Sequence, residues 1–141
     1  MTDNVNHPKH YLSAALTLEP IELTARLNSC LGQALQYVCR APYKGNEIED
    51  LQKAVFYLEK QRQVRPDFTI PPETTPYIQI FMHHAEGLFG IVIRTLFSFD
   101  HVDSDSKKNQ YLTYFFVDAH NLEETVEVIR NRLKKLGVAD A

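Results

Sequence analysis

The chain has 141 residues, 44% of them hydrophobic, and a formal net charge of −3 from 15 basic and 18 acidic side chains. That composition supports one domain, or two small modules sharing a core, and excludes extended disorder. It argues against a duplex nucleic acid partner, which needs a basic face, and no apolar run or leader pattern points to a membrane, so a cytoplasmic protein is expected.

The chain opens on NHPKHY, residues 6–11. Pro8 holds its neighbours extended, and His7 and His10 are neutral acceptors or cations near neutral pH. His7, Lys9 and His10 are therefore candidates to touch a phosphate, with Tyr11 as anchor or stacking ring. Three helices are predicted next. The first covers residues 19–28, with Thr17 as cap and Pro20 in the opening turn. The second covers residues 29–41 and buries Leu31, Leu35 and Val38. The third runs from Asn46, with Glu49 completing a capping box, to residue 63 along a stripe of Ile48, Leu51, Val55 and Leu58. Cys30 and Cys39 fall on the second helix, too far apart to bridge, and are read as two buried reduced thiols.

Four prolines in residues 65–76 predict an extended connection. PYIQIFMHH (76–84) and LFGIVIRTLFSF (88–99) read as two strands, with Phe89, Ile91, Ile93, Phe97 and Phe99 alternating in the second; one buried helix over 77–98 is the other reading. Residues 100–109 read as a polar loop and residues 110–118 as a further strand. Asn121 and Glu124 suggest a capping box for a last helix ending at Gly137. The class is α+β: an N-terminal three-helix module (1–64), the proline-rich connection (65–76), and a small antiparallel three-stranded sheet with a C-terminal helix (77–141). Neither half is large enough to stand well alone, so the two pack together or the protein forms a homo-oligomer. The second half is the candidate surface for oligomerisation or partner binding.

Residue chemistry nominates a site in the first half. Gln36, Tyr37 and Arg40 stand three and four apart, with Arg40 near the exposed side of its helix and suited to forking onto phosphate. Lys44 and Gly45 precede a helix N-terminus, where free N–H groups favour anions. Glu47, Glu49 and Asp50 crowd that turn, and a Mg²⁺ ion between them would relieve the repulsion of a phosphate. In the second half His83, His84, Asp118 and His120 are expected at strand ends, as one candidate cluster. Asp100, His101, Asp103 and Asp105 form another, and Tyr111, Tyr114, Phe115 and Phe116 an aromatic run suited to core or subunit interface.

NHPKHY followed by LGQALQYVCRAPYKGNEIEDLQKAVFYLEK resembles the phage and prophage family of small proteins with an HPxHY entry motif (domain of unknown function 3310, SaV-like). The matching positions are His7, Pro8, His10, Tyr11, Gly32, Tyr37, Arg40, Lys44, Glu49, Asp50, Leu51, Lys53, Ala54, Tyr57 and Leu58. Gln33 and Gln36 depart from the family's usual Asn and Lys. Some members are assigned nucleotide kinase activity, so the resemblance implies nucleotide chemistry, with Lys53 and Tyr57 joining the ligand-binding candidates. Separately, Glu19 and Glu22 on the first helix and Glu47 and Asp50 on the third resemble the Mg²⁺-binding ExxE/ExxD pattern of all-α nucleoside triphosphate pyrophosphohydrolases.

The chain has no GxxxxGK[ST] loop, so a P-loop kinase is excluded. The leading expectation is phosphoryl transfer to deoxynucleoside monophosphates at an unconventional site. There Arg40 and Lys44 are the catalytic candidates, Glu47 and Asp50 bind Mg²⁺, and His7 and His10 close over the nucleotide. A Mg²⁺-dependent pyrophosphohydrolase needing Glu19 and Glu22 as well is one alternative. Another is a non-enzymatic accessory protein that sequesters a nucleotide or blocks a host protein.

Overall fold

The computed structural model describes the backbone of residues 18–105 and 110–141, and the side chains of residues 18–100 and 114–141. Its helices are α1 (Pro20–Thr24), α2 (Ser29–Arg40), α3 (Glu47–Val64), α4 (Thr75–His84), α5 (Gly87–Leu96) and α6 (Ala119–Lys135). Its strands are β1 (Phe68–Thr69), β2 (Ser98–Asp105) and β3 (Gln110–Val117), in an antiparallel sheet of order β1-β3-β2. The α+β class with a small sheet and a C-terminal helix holds, and β3 falls where a strand was expected, but β1 and β2 lie elsewhere than expected.

In the first half, apolar spacing and backbone agree. α2 buries Leu31, Ala34, Leu35 and Val38 on one face, and Asn28 caps it by accepting from the Leu31 N–H at 3.0 Å. α3 packs beside it through Leu51, Ala54, Leu58 and Gln61, so its buried stripe is rotated from the expected one and Ile48 is exposed. Each fully buried leucine is worth roughly 1.5–3 kcal/mol relative to exposure. α1 is shorter than expected and is separated from α2 by the turn that Asn28 closes. Gly32 lets α1 approach: a Cβ there would lie 2.7 Å from the Thr24 carbonyl oxygen. Asn46 takes the N-cap position of α3 without a side-chain cap bond, so the predicted Asn46–Glu49 box does not form. Cys30 and Cys39 both lie on α2, unjoined by a disulfide, Cys39 buried and Cys30 half-buried.

The proline-rich connection is not uniformly extended; it holds β1, a 3-10 turn at Pro72–Thr74 and the start of α4. Residues 77–98 correct the strand reading. Phe89, Val92, Ile93 and Leu96 are buried while Ile91 is 48% exposed, which is helical spacing and breaks the alternation of Phe89, Ile91 and Ile93. Between α4 and α5, Arg94 Nη1 donates to the Met82 and Ala85 carbonyls at 3.1 and 3.0 Å and closes the end of α4. Gly90 makes that corner tight, since a Cβ would meet the Ala85 oxygen at 2.3 Å.

The segment read as a polar loop is largely strand: β2 pairs with β3 from Ser98↔Phe116 to Asp105↔Gln110, with an irregularity between Asp103 and Asp105. β1 adds Phe68↔Val117 and Thr69↔Phe116. α6 starts earlier than expected, in a box formed by Asp118 and Asn121 rather than Asn121 and Glu124. The Asn121 N–H donates to Asp118 Oδ1 at 2.7 Å, and the Asp118 N–H donates to Asn121 Oδ1 at 3.0 Å. Leu122, Val126, Ile129 and Leu133 then enter a core that also takes Leu35, Leu51, Phe81 and Phe89, so both halves share it. Among the described residues no helix is long and apolar enough to cross a membrane.

Candidate functional site

Tyr37 is the centre of the cluster that α2 and α3 build where they run side by side. Spacings of three and four residues, about one turn each, put Arg40 next to Tyr37 on α2 and Lys53 next to Tyr57 on α3. The Arg40 guanidinium lies 4.8 Å from the Tyr37 ring centroid and the Lys53 ammonium 5.4 Å from it. Tyr57 stacks on Tyr37 with centroids 5.9 Å apart and planes 11° off parallel. The aromatic ring attracts both cations, so Arg40 and Lys53 converge on Tyr37.

An acid underlies this surface. Asp50, 2% exposed, accepts from Arg40 Nη2 at 3.3 Å through Oδ1, while its Oδ2 is buried without a hydrogen-bond partner. Lys53 is paired outward with Glu49 at 3.1 Å. The hydrogen bond and charge of Glu49 hold its pKa above the ordinary lysine value of 10.5. Lys53 is therefore fully cationic at neutral pH. Two cations and two half-buried rings beside a buried carboxylate suit a ligand that is anionic at one end and planar at the other.

Other expected site residues fall elsewhere. The Gln36 amide donates to Thr24 Oγ1 at 3.0 Å, tying α2 to α1. Lys44 is exposed in the loop before α3. His7, Lys9, His10 and Tyr11 lie outside the described residues.

The four carboxylates of the ExxE/ExxD reading do not form a metal set. Glu22 pairs with Arg26 at 3.1 Å, and Asp50 with Arg40. Glu47 Oε1 accepts from both Nε and Nη2 of Arg132, each at 2.8 Å. Glu19 stands at the N-cap of α1. Among the described residues no group of three or more His, Cys, Asp or Glu side chains is arranged to hold a metal ion. Carboxylates already matched by arginines are poor hosts for Mg²⁺, which demands its own octahedral oxygen shell.

The first second-half cluster lies at helix ends, not at strand ends. His83 and His84 end α4, Asp118 caps α6, and His120 pairs with Glu124 within α6 at 3.0 Å. Phe115 is buried in the core, and Tyr114 and Phe116 are half-buried. Asp100 is exposed, and the side chains of His101, Asp103, Asp105 and Tyr111 lie outside those described.

A separate cleft of about 540 Å³ lies between the loop after α2, the start of α5 and the end of α6, lined by Tyr43, Glu47, Leu88, Phe89, Arg132 and Lys135 among others. The sequence offered no sign of the Glu47–Arg132 link that borders it, because the two residues are 85 positions apart.

A family model described as a protein of unknown function, DUF3310, matches residues 5–59. Over that segment, well under half of the chain, the sequence is similar to the DUF3310 family. The match covers the motifs that carried the resemblance. The DUF3310 segment also contains every residue of the Tyr37 cluster: Tyr37, Arg40, Glu49, Asp50, Lys53 and Tyr57. No curated protein and no solved structure matches the chain.

Proposed function

We propose that the chain binds a nucleotide on the α2–α3 face of its DUF3310 segment. The observation that carries this reading is the convergence of Arg40 and Lys53 on the Tyr37 ring, with Tyr57 stacked behind it. Arg40 and Lys53 take the phosphate, and the tyrosines offer the base an aromatic surface. Lys44, at the end of α2's connecting loop, adds positive charge on the approach.

The reaction we assign to this site is phosphoryl transfer to a deoxynucleoside monophosphate, following the family resemblance. In it Arg40 and Lys53 neutralise the charge that gathers on the transferring group. His7, Lys9, His10 and Tyr11 are proposed to complete the ligand's surroundings. The pyrophosphohydrolase alternative draws no support from Glu22, Glu47 and Asp50, each held by an arginine. Sequestration without turnover is the second reading, favoured by one observation: Arg40 is already engaged with Asp50, as a binding residue tolerates better than a catalytic one.

A phosphorus NMR time course with ATP, Mg²⁺ and a panel of deoxynucleoside monophosphates tests the assignment. New diphosphate resonances that vanish in Arg40→Lys support phosphoryl transfer. Line broadening with unchanged areas moves the function to sequestration. Spectra identical to those without protein contradict nucleotide binding.

A further inference from the structure

The buried Oδ2 of Asp50 has no use in the site as described so far. An acceptor with no partner costs stability, so its retention beside two cations calls for a donor that arrives from outside. Asp50 Oδ1 faces Arg40, and Oδ2 belongs to the same carboxylate, so that donor stands next to the place where a phosphate is held. Arg40 covers the carboxylate by one long contact of 3.3 Å and is itself 49% exposed, so its head is held loosely and can turn outward.

Resting on the nucleotide reading, we infer that Asp50 selects the ligand's sugar: Oδ2 accepts a hydrogen bond from the 3′-hydroxyl of a nucleoside 5′-monophosphate. A second anion is excluded as the partner by charge. A neutral hydroxyl fits, and the sugar hydroxyl is the donor covalently nearest the 5′-phosphate. Arg40 is on Oδ1, so its outward turn toward the phosphate uncovers the carboxylate and lets the hydroxyl reach Oδ2. The oxygen left unmatched in the empty site is then matched in the occupied one. This gives the substrate class as nucleotides with a free 3′-hydroxyl. Asp50 is a specificity residue here, not a metal ligand.

The test varies the ligand and leaves the protein intact. Calorimetric titration compares each of the common deoxynucleoside 5′-monophosphates with its 2′,3′-dideoxy counterpart. Loss of the 3′-hydroxyl is expected to weaken binding roughly tenfold to hundredfold, the size of a hydrogen bond to a charged group. Asp50→Asn, checked for native circular dichroism, is expected to reduce that discrimination; should this variant fail to fold, the comparison on the wild-type chain decides alone. Equal affinities for deoxy and dideoxy forms overturn the inference while leaving nucleotide binding in place. Binding of neither form overturns the nucleotide reading, and this inference falls with it.

Discussion

Replacing Arg40 with alanine removes the cation paired to a carboxylate that is 98% buried, and the consequence can be worked from the geometry. Stripping one partner from a fully buried ion pair costs about 3–5 kcal/mol, because the remaining charge is left without compensation. Here the arginine is 49% exposed and makes a single contact at 3.3 Å, so water recovers part of that loss. We expect Arg40→Ala to destabilise the fold by about 1–3 kcal/mol. Asp50→Ala removes the acceptor together with its orphaned oxygen and leaves Arg40 free to hydrate, so it costs less than Arg40→Ala. The double variant should match Asp50→Ala alone, so the coupling equals the Arg40→Ala cost, about 1–3 kcal/mol. Urea unfolding measures this cycle directly: with a slope of about 1–3 kcal/mol per molar for a small protein, the Arg40→Ala midpoint moves by roughly 1 M. Identical midpoints for Arg40→Ala and wild type, or strictly additive single variants, refute the reasoning.

Gly32→Ala puts a methyl 2.7 Å from the Thr24 carbonyl and should cost about 1–3 kcal/mol as α1 is pushed off α2; an unchanged melting temperature would show that the helices yield freely. Asp118→Ala deletes the side-chain half of the α6 capping box and should cost about 0.5–2 kcal/mol, read as a lower midpoint with unchanged slope. Lys53 has a folded pKa raised by Glu49, so its contribution is fully present below the ordinary lysine value and is lost as pH rises through the higher folded value. Glu49→Gln should therefore shift the Lys53 titration to lower pH in a carbon-detected NMR experiment, and a titration that does not move contradicts the pairing.

What could be read from the sequence tracks how one-sided each segment is. In α2 the polar residues between Leu31, Leu35 and Val38 leave one apolar face, so period and location were legible. In α3 AVFYL is apolar on several sides, so the helix was legible but its buried face was not, with Ala54 inside and Ile48 and Phe56 outside. LFGIVI in α5 is apolar on nearly every side and rich in β-branched residues, so alternation and helical spacing both fitted; only the burial of Phe89 and Ile93 with Ile91 outside separates them. β2 was hidden by DHVDSD, a charged stretch that suits an edge strand, the position it takes beside β3. The α6 cap was misplaced because Asp118 and Asn121 satisfy the same pattern as Asn121 and Glu124, three residues apart. Within the site, Tyr37 with Arg40 and Lys53 with Tyr57 were each legible as neighbours on their own helix. Their meeting depends on how α2 and α3 lie against each other. The same dependence on tertiary contact turned Glu47 and Asp50 from apparent metal ligands into partners of Arg132 and Arg40.

The central claim is that a nucleotide sits on the Tyr37 face, and backbone amide chemical-shift mapping during a titration with a deoxynucleoside monophosphate tests it most directly. The account predicts saturable shifts concentrated at Tyr37, Arg40, Asp50, Lys53 and Tyr57. Shifts centred instead on Tyr43, Leu88, Phe89 and Arg132 would place the ligand in the other cleft, and no shifts at all would contradict nucleotide binding.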